Sequence, residues 1–438
     1  MWTRQGARLA VVLALALPSP VAEGRPGGGE NYVAPAPSPR PSPSPQPSSG
    51  GSYRSPSGSS GSGGSLADNL IGMAIAVAGL GALFAFFAVS EHVKGLAARS
   101  SPPDDGPPPP RVIHPDAERS LARARAVFNG VYAAWNHGDA DALRQWTSDG
   151  VYSRFSTLLA IQARAGFRNE TLVKGAPRAA LMALVPGPVW DRADVRFGVD
   201  AVDRDVEPGG DVRREESSRF VEIWTFLRRH REGSGPAIAA SGACPACGAL
   251  LPDGATPRCG SCGAVSNSGE HDWVLTEITQ PGAPRQPELR PPADVVQRHP
   301  DLSPPVLEDR ASAAFWAWID AGLRDSITPL APFLAPDADI QLVATESAAV
   351  GAVDVVSVTA RGEGLLAQVD VAWSSAGQGR KSRMVLRTDA TPRPPSLATL
   401  SCGSCAGPLD RSDAPSCRWC GADRAPAPAE WAVVSIRS

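Results

Sequence analysis

Eight cysteines occur in this chain of 438 residues, and their spacing constrains the fold more than any other feature. In the first set, eleven residues separate two Cys-x2-Cys pairs, and a Trp follows after ten more. The second set repeats every one of these intervals. Because chance would not reproduce four intervals, we interpret the chain as a tandem duplication in which both copies carry the same insert. The sets are Cys244, Cys247, Cys259 and Cys262 before Trp273, and Cys402, Cys405, Cys417 and Cys420 before Trp431.

Each set of four cysteines has the arrangement of a zinc ribbon, in which two Cys-x2-Cys pairs lie about a dozen residues apart. A tight turn at each pair lets two thiolates reach one ion, and Gly after the second Cys assists because it accepts a positive φ. Gly248, Gly263 and Gly421 stand at that place, whereas the remaining pair has Ala406 followed by Gly407. We therefore expect two bound zinc ions, one in each set.

The chemical role of these ions follows from their ligands. Four Cys ligands leave no open coordination position, so each zinc is expected to be structural. Two disulfides per set are an alternative that a reducing compartment disfavours. A redox-active Cys-x2-Cys is a further alternative, but it needs one active pair and not four. The six His residues show no metal-ligand spacing and are interpreted as surface or loop residues.

The N-terminal segment has the pattern of an exported chain. Residues 1–22 predict a signal peptide, because Arg4 and Arg8 accompany a short apolar run at 9–17. An uncleaved anchor is the alternative. Residues 23–66 consist largely of Pro, Gly and Ser. They bury too little apolar surface to offset their chain entropy, so a disordered tail is expected.

A membrane span follows the tail. Residues 70–89 are twenty uncharged and almost wholly apolar residues, and twenty helical residues cover about 30 Å, the hydrocarbon thickness of a bilayer. We predict a transmembrane helix within 67–91 and a Pro-rich spacer over 92–116. Since Lys94 and Arg99 follow the span, the C-terminal part should face the cytoplasm. These features predict a single-pass membrane protein whose C-terminal domains lie in the cytoplasm.

Beyond the spacer, the pattern is that of a globular unit over 117–280. Strand-like runs at 194–202, 218–229 and 272–278 come after helical segments, and the first ribbon, 242–265, precedes the last run. Helices first and strands later predict an α+β fold with an antiparallel sheet. One helix is indicated by apolar residues at spacings of three and four, and the turn "NHGD" ends it. Those apolar residues are Leu121, Ala124, Phe128, Val131 and Trp135.

The second unit, 306–438, follows a Pro-rich linker at 281–305 and repeats this order. Ala311, Phe315 and Trp318 indicate its helix. The second ribbon, 400–423, again precedes the last predicted strand. The predicted strands are 364–376, 382–389 and 430–436.

The segments 134–155, 218–229 and 272–278 resemble the bacterial relatives of mitochondrial import inner-membrane translocase subunit 44. The resemblance covers 117–280 well and 307–438 weakly, because the second copy reads "WIDAGLRD" where the first has its "WNHGD" turn. It implies a cone-shaped fold like that of nuclear transport factor two. In such a fold, helices pack on a curved antiparallel sheet around an apolar pocket.

Three classes of function remain open at this point. The anchor, the duplication and the resemblance favour a non-enzymatic scaffold whose partner is a protein or a lipid. The fold also hosts isomerases and hydrolases, for which Tyr152, Asp194 and Glu222 are the candidate acid or base residues. A ribbon that binds nucleic acid is the third class, and the run Arg228–Arg231 would serve it. However, a net charge of −3 disfavours that class, and no nucleic-acid partner is expected.

Overall fold

The computed structural model describes residues 116–230, 243–251, 258–279, 289–388, 396–405, 407–409, 412, 414–423 and 430–438. The predicted signal peptide, the Pro/Gly/Ser-rich tail, the transmembrane helix and all but the last residue of the spacer lie outside these residues and stay predictions. Within the described part of the chain, no helix is both long enough and apolar enough to cross a bilayer.

Three helices open the first half of the globular part. They are α1 (Ala117–His137), α2 (Ala140–Leu143) and α3 (Asp149–Arg164). Gly138 ends α1 in the left-handed region, with a φ of 68°. Asp139 begins α2 by accepting a hydrogen bond from a backbone N–H of its first turn. The helix and the turn predicted from "NHGD" are therefore confirmed.

A five-stranded antiparallel sheet completes the first half. The long β3 pairs with β1, β2 and β4, and β5 pairs with β4. The three predicted strands are confirmed as β3, β4 and β5, whereas β1 and β2 were missed because neither alternates polar and apolar residues clearly. The strands are β1 (Arg168–Val173), β2 (Arg178–Val185), β3 (Trp190–Val206), β4 (Val212–Arg229) and β5 (Val274–Thr279).

The second half also places helices before a five-stranded sheet, in the order β6-β10-β9-β8-β7. Only the pairing of β6 with β10 is parallel among these described strands. The short α4 lies in the predicted linker, and β6 and β7 were not predicted. The elements are α4 (Ala293–Arg298), α5 (Pro304–Arg324), β6 (Leu334–Ile340), β7 (Ala349–Arg361), β8 (Gly364–Ser375), β9 (Gln378–Thr388) and β10 (Ala432–Arg437). Both halves are thus mixed α+β with largely antiparallel sheets.

The ribbon occupies the same place in both sheets. It connects β4 to β5 in the first half and β9 to β10 in the second. The final strand then carries a bulge, at Thr276 in β5 and at Val434 in β10. Each bulged residue stands three positions after the Trp that follows the cysteines. A bulge bends a strand locally and increases its twist, so the two final strands share the same local geometry.

The helix that opens each half also ends in the same way. Asp325 ends α5 in the left-handed region, with a φ of 52°, as Gly138 ends α1. Nine residues after each of these helix ends, the chain pairs in parallel with the final strand of its own sheet. Thr147 pairs with Leu275 of β5, and Leu334 pairs with β10. Asp325 therefore has the backbone conformation that Gly138 has in the first half, without the "WNHGD" pattern.

Aromatic rings fill the space between helix and sheet in both halves. In the first, Phe128 of α1 lies 4.7 Å from the ring of Phe197 and 5.2 Å from that of Trp224, centroid to centroid. In the second, Phe315 of α5 lies 5.5 Å from Trp373. All of these rings are fully buried. Clusters of this kind supply much of the apolar burial that holds a helix on a sheet.

Candidate functional site: two cysteine clusters and the junction between the halves

The first ribbon brings its four thiols together. The Sγ atoms of Cys244 and Cys262 lie 3.7 Å apart, and those of Cys247 and Cys259 also 3.7 Å. All four lie within 4.8 Å of one another. A tetrahedral zinc with Zn–S bonds of ~2.3 Å separates its sulfurs by about 3.8 Å. The first cluster therefore has the dimensions of a metal site.

The second ribbon has the same geometry. The Sγ–Sγ distances are 3.9 Å between Cys402 and Cys420 and 3.8 Å between Cys405 and Cys417. In both ribbons, two of the cysteines are buried and two are exposed, and all eight are free thiols. Both clusters are thus arranged for metal binding.

Backbone N–H groups in the turns prepare two of these cysteines to ionise. In the first ribbon, N–H groups of Cys262 and Ser261 donate to Cys259 and lower its pKa to about 6. In the second, N–H groups of Cys405 and Ser404 lower the pKa of Cys402 to about 6. Since the thiolate is the form that binds metal, these donors favour the ligating state.

The turn glycines behave as the sequence indicated in three of the four Cys-x2-Cys pairs. Gly248, Gly263 and Gly421 have φ values of 76°, 75° and 70°. In the fourth pair, Ala406 lies outside the described residues. Gly407 leaves room for the Trp419 ring, because a Cβ at this position would lie 2.6 Å from the nearest ring atom.

Helix α3 of the first half packs on α5 of the second, and a buried carboxylate links their ends. Asp309 of α5 accepts hydrogen bonds from the Ser148 hydroxyl at 2.5 Å and from the Gly150 N–H at 3.0 Å. It thereby caps the N-terminus of α3, where the helix dipole favours negative charge. Burial raises the pKa of Asp309 to about 7, although the adjacent Arg310 opposes the rise.

The second ribbon also lies against the first half. Asp149 of α3 accepts hydrogen bonds from the backbone N–H groups of Thr399, at 2.5 Å, and Leu400, at 2.9 Å, just before the cysteines. Arg144 donates to the Leu409 carbonyl within the ribbon. Ribbon residues thus form part of the junction between the two halves.

A cavity of about 420 Å³ lies at this junction. We call it the junction cavity. Its walls come from α3, from the end of α5 with the loop that follows, and from the second ribbon. It is bounded by both halves and lies outside the aromatic clusters that fill each sheet's inner face.

The three candidate acid or base residues do not come together. Glu222 is fully buried, and it pairs across the sheet with Phe197. It therefore lies on the inner face of the sheet, and its carboxylate accepts a hydrogen bond from the Trp224 indole at 2.9 Å. Asp194, three positions before Phe197, lies on the opposite face and accepts from Thr225. Tyr152 lies in α3, and the centroid of its ring is 3.6 Å from the central carbon of the Arg144 guanidinium.

The basic run at the end of β4, considered above as a nucleic-acid contact, is held within the fold. Arg228 is buried, donates to Asp191 at 2.9 Å, and lies 4.5 Å from the Trp273 ring centroid. His230 contacts the same Asp191 carboxylate at 2.6 Å. These side chains are engaged within the fold, whereas Arg231 lies outside the described residues.

The fold and its site therefore define a mixed α+β protein with two cysteine clusters and a connecting junction. Residues 116–237 match the family model described as the Tim44-like domain. The first half thus carries a Tim44-like domain, which confirms the resemblance stated above for these residues. A comparison with curated protein sequences gives no match.

Two solved structures are similar to parts of this chain. The intermembrane space region of the chloroplast protein ARC6 is 7% identical, covers 28% of this chain and 95% of its own, and has a TM-score of 0.20. An Ntf2-like protein involved in plasmid conjugation is 11% identical, covers 62% of this chain and 90% of its own, and has a TM-score of 0.18.

The junction residues were not found by sequence reasoning. Ser148 before "DG" does fit a helix N-cap, and in the structure it accepts from the Val151 N–H. Nothing in the sequence indicates that Asp309 supplies a second acceptor from a helix in the other half. Arg144 reads as an ordinary helical residue, although it is buried and lines the junction cavity.

Proposed function

We propose that this protein is a membrane-anchored, non-enzymatic scaffold that presents two related domains at the cytoplasmic face of a bacterial inner membrane. Its role lies in protein transport or membrane-associated assembly, its partner is a protein or a lipid, and nucleic acid is not a partner. The single observation that carries the proposal is the match of 116–237 to the Tim44-like domain.

The second part of the proposal is that the halves are copies of one cone-shaped domain, over 117–280 and 306–438. The shared ribbon position, the repeated bulge and the two left-handed helix ends support it. One ion pair is repeated as well. Arg123 of α1 lies 3.0 Å from Asp272, and Arg310 of α5 lies 3.7 Å from Glu430, each acid standing immediately before the Trp of its copy.

The third part concerns the metal. We propose that each cluster binds one structural zinc ion. Four thiols per cluster and sulfur separations close to those of a tetrahedral zinc support this assignment over disulfides, whose sulfurs lie about 2.05 Å apart. Zinc would brace an insert that has little core of its own, because the buried apolar group within each ribbon consists of one Leu and two Cys.

The absence of an enzymatic role is also a proposal. Two observations support it. Glu222 and Asp194 lie on opposite faces of their sheet, and Tyr152 stacks under Arg144. An acid and a base must both reach the reacting group, and these three residues do not share a site.

Photo-crosslinking in cells tests the scaffold. The full chain, with a photoreactive residue at exposed Val185 or exposed Ile327, is crosslinked and purified from membranes. We expect one protein or lipid to be recovered reproducibly with at least one variant. A matched chain whose 70–89 segment is replaced by a polar linker should lose that partner together with the membrane. Failure to recover any reproducible partner would contradict the proposal.

A further inference from the structure

The junction cavity has the size of a ligand site. Its volume of about 420 Å³ falls within the ~300–1,000 Å³ typical of small-molecule pockets. Both halves of the chain are needed to form it, so its shape depends on the junction. A cavity with these walls can select a ligand by charge only if a charged group faces it.

Arg144 supplies that charge. Its side chain is 5% exposed and lines the cavity. One N–H donates to the Leu409 carbonyl, the ring of Tyr152 lies on one side, and the nearest Asp149 oxygen is 4.0 Å away. A guanidinium has five N–H donors, so further donors remain for a ligand anion.

Asp149 faces Arg144 through Oδ1 at 4.0 Å, beyond hydrogen-bond distance, so donors of Arg144 remain available. Its other oxygen, Oδ2, already accepts three hydrogen bonds, from the N–H and hydroxyl of Thr399 and from the N–H of Leu400. The carboxylate that does line the cavity, that of Asp320, accepts from Arg324 at 3.0 Å. The cavity therefore presents one buried cation beside carboxylates that are held by other donors.

Apolar side chains form most of the remaining wall, and the hydroxyl groups of Ser153, Ser156, Thr157, Thr328 and Ser412 also line it. Phe333, Pro332, Leu400 and Leu409 line the cavity together with Ala317 of α5. On such a surface, an apolar ligand body loses contact with water, and Arg144 is the one cation among the described residues that line the cavity. The complementary ligand has one anionic group and an apolar body.

We propose that the junction cavity binds a small organic monoanion with an apolar body, such as a free medium-chain or aromatic carboxylate, and that Arg144 binds the anionic group. This goes beyond the scaffold role and does not depend on it. The chain would hold such a ligand between its two halves, with α3 on one side and the second ribbon on the other.

The test uses the full chain in discs of zwitterionic lipid and a diazirine-bearing decanoate as the probe. Labelled peptides are mapped by mass spectrometry, and unlabelled decanoate, decanol and decylamine compete with the probe. We expect labelling within 152–157 or 317–333, strong competition by decanoate and weak competition by the other two. Equal competition by all three, or labelling confined to other segments, would overturn the proposal.

Variants separate charge recognition from a loss of folding. Arg144→Met should weaken labelling about tenfold or more, as expected for loss of a charge-assisted hydrogen bond, and Arg144→Lys should recover part of it. Ala317→Phe keeps Arg144 but places a ring in the cavity, and it should also abolish labelling. The control Arg178→Met removes an exposed cation that pairs with Asp200 in the first sheet and should leave labelling unchanged.

A further arm distinguishes a free carboxylate from a lipid headgroup. Discs containing phosphatidylglycerol should leave decanoate labelling unchanged if the occupant is a free carboxylate. Loss of labelling in those discs would overturn this assignment. Labelling that is unaffected by both Arg144→Met and Ala317→Phe would do so as well. Neither result bears on whether the crosslinked scaffold partner is found.

Discussion

The two ribbons share every cysteine interval, yet they pack differently. The second lies against the first half, where Arg144 donates to its Leu409 carbonyl and its Arg418 contacts Asp141 at 2.8 Å. The first presents Leu250, 85% exposed, at the position where the second has Pro408. The spacing thus specifies the cluster of four cysteines, while the residues between the cysteines decide what the ribbon contacts.

One pair of substitutions between the copies illustrates this division. The second ribbon has Gly407 beneath Trp419, whose indole donates to the Pro408 carbonyl at 2.9 Å. The equivalent positions in the first ribbon are Ala249 and Ser261. The large ring requires a glycine opposite it, so the two positions differ together between the copies.

The largest expected effect comes from removing one buried ligand from each cluster. Cys417→Ser and Cys259→Ser should each lose one metal ion and unfold their ribbon, since structural zinc contributes ~10 kcal/mol or more in such modules. Only Cys417→Ser should also loosen the junction. We expect hydrogen exchange at the start of α3 to rise at least tenfold in Cys417→Ser.

The Cys259→Ser variant is the matched control for that measurement. It should unfold the first ribbon and destabilise the first half, raise exchange at Gly150 clearly less than Cys417→Ser does, and leave membrane insertion unchanged. Equal exchange at Gly150 in the two variants would mean that the ribbons are equivalent and that the second does not hold the junction.

The next effect concerns Asp309 and pH. Because its folded-state pKa is raised to about 7 from 3.8, the folded state holds a proton that the unfolded state releases. Its stabilising contribution is complete below 3.8 and declines as the pH rises toward about 7. At ~1.4 kcal/mol per pH unit, the decline amounts to at most about 4 kcal/mol.

Thermal unfolding of the wild type and Asp309→Asn, followed by tryptophan fluorescence from about pH 5 to pH 8, measures this contribution. Asn does not titrate, so the stability of the wild type relative to the variant should fall as the pH rises. Parallel pH profiles for the two proteins would show that Asp309 stays ionised at the junction.

A smaller effect is expected from the glycine opposite Trp419. Gly407→Ala should destabilise the second ribbon by about 1–3 kcal/mol through overpacking. Adding Trp419→Ser, which restores the combination found in the first ribbon, should relieve most of that cost. Zinc affinity measured by competition with a chelator reports both variants. Additive losses in the double variant would exclude this contact as the cause.

The smallest effect is expected for the exposed ion pair between Arg418 and Asp141. Both side chains are more than one-third exposed, so Arg418→Ala should cost only about 0.2–1 kcal/mol. Unfolding in low and high salt should show the difference shrinking as salt is added. A loss of several kcal/mol, independent of salt, would assign Arg418 a larger part in holding the second ribbon.

The sequence predicts best what is set by local pattern. The α1 helix, the left-handed Gly138, the capping Asp139 and the ribbon turns follow from periodicity and from the φ that Gly accepts. The strands β1 and β2 were missed because neither alternates polar and apolar residues clearly, and their strand conformation depends on pairing with the long β3.

The junction could not have been predicted because it depends on contacts between residues far apart in sequence. Asp309 and Ser148 are far apart in sequence and meet only because α3 packs on α5. The buried state of Arg144 likewise depends on a ribbon from the other half covering it. Long-range packing of this kind becomes visible only when both halves are placed in three dimensions.

The most direct test of the account is the metal content of the purified full chain, measured by mass spectrometry with its thiol count. We predict two zinc ions per chain, eight reduced cysteines, and one zinc ion in both Cys259→Ser and Cys417→Ser. A chain that contains no metal and four disulfides would contradict the account.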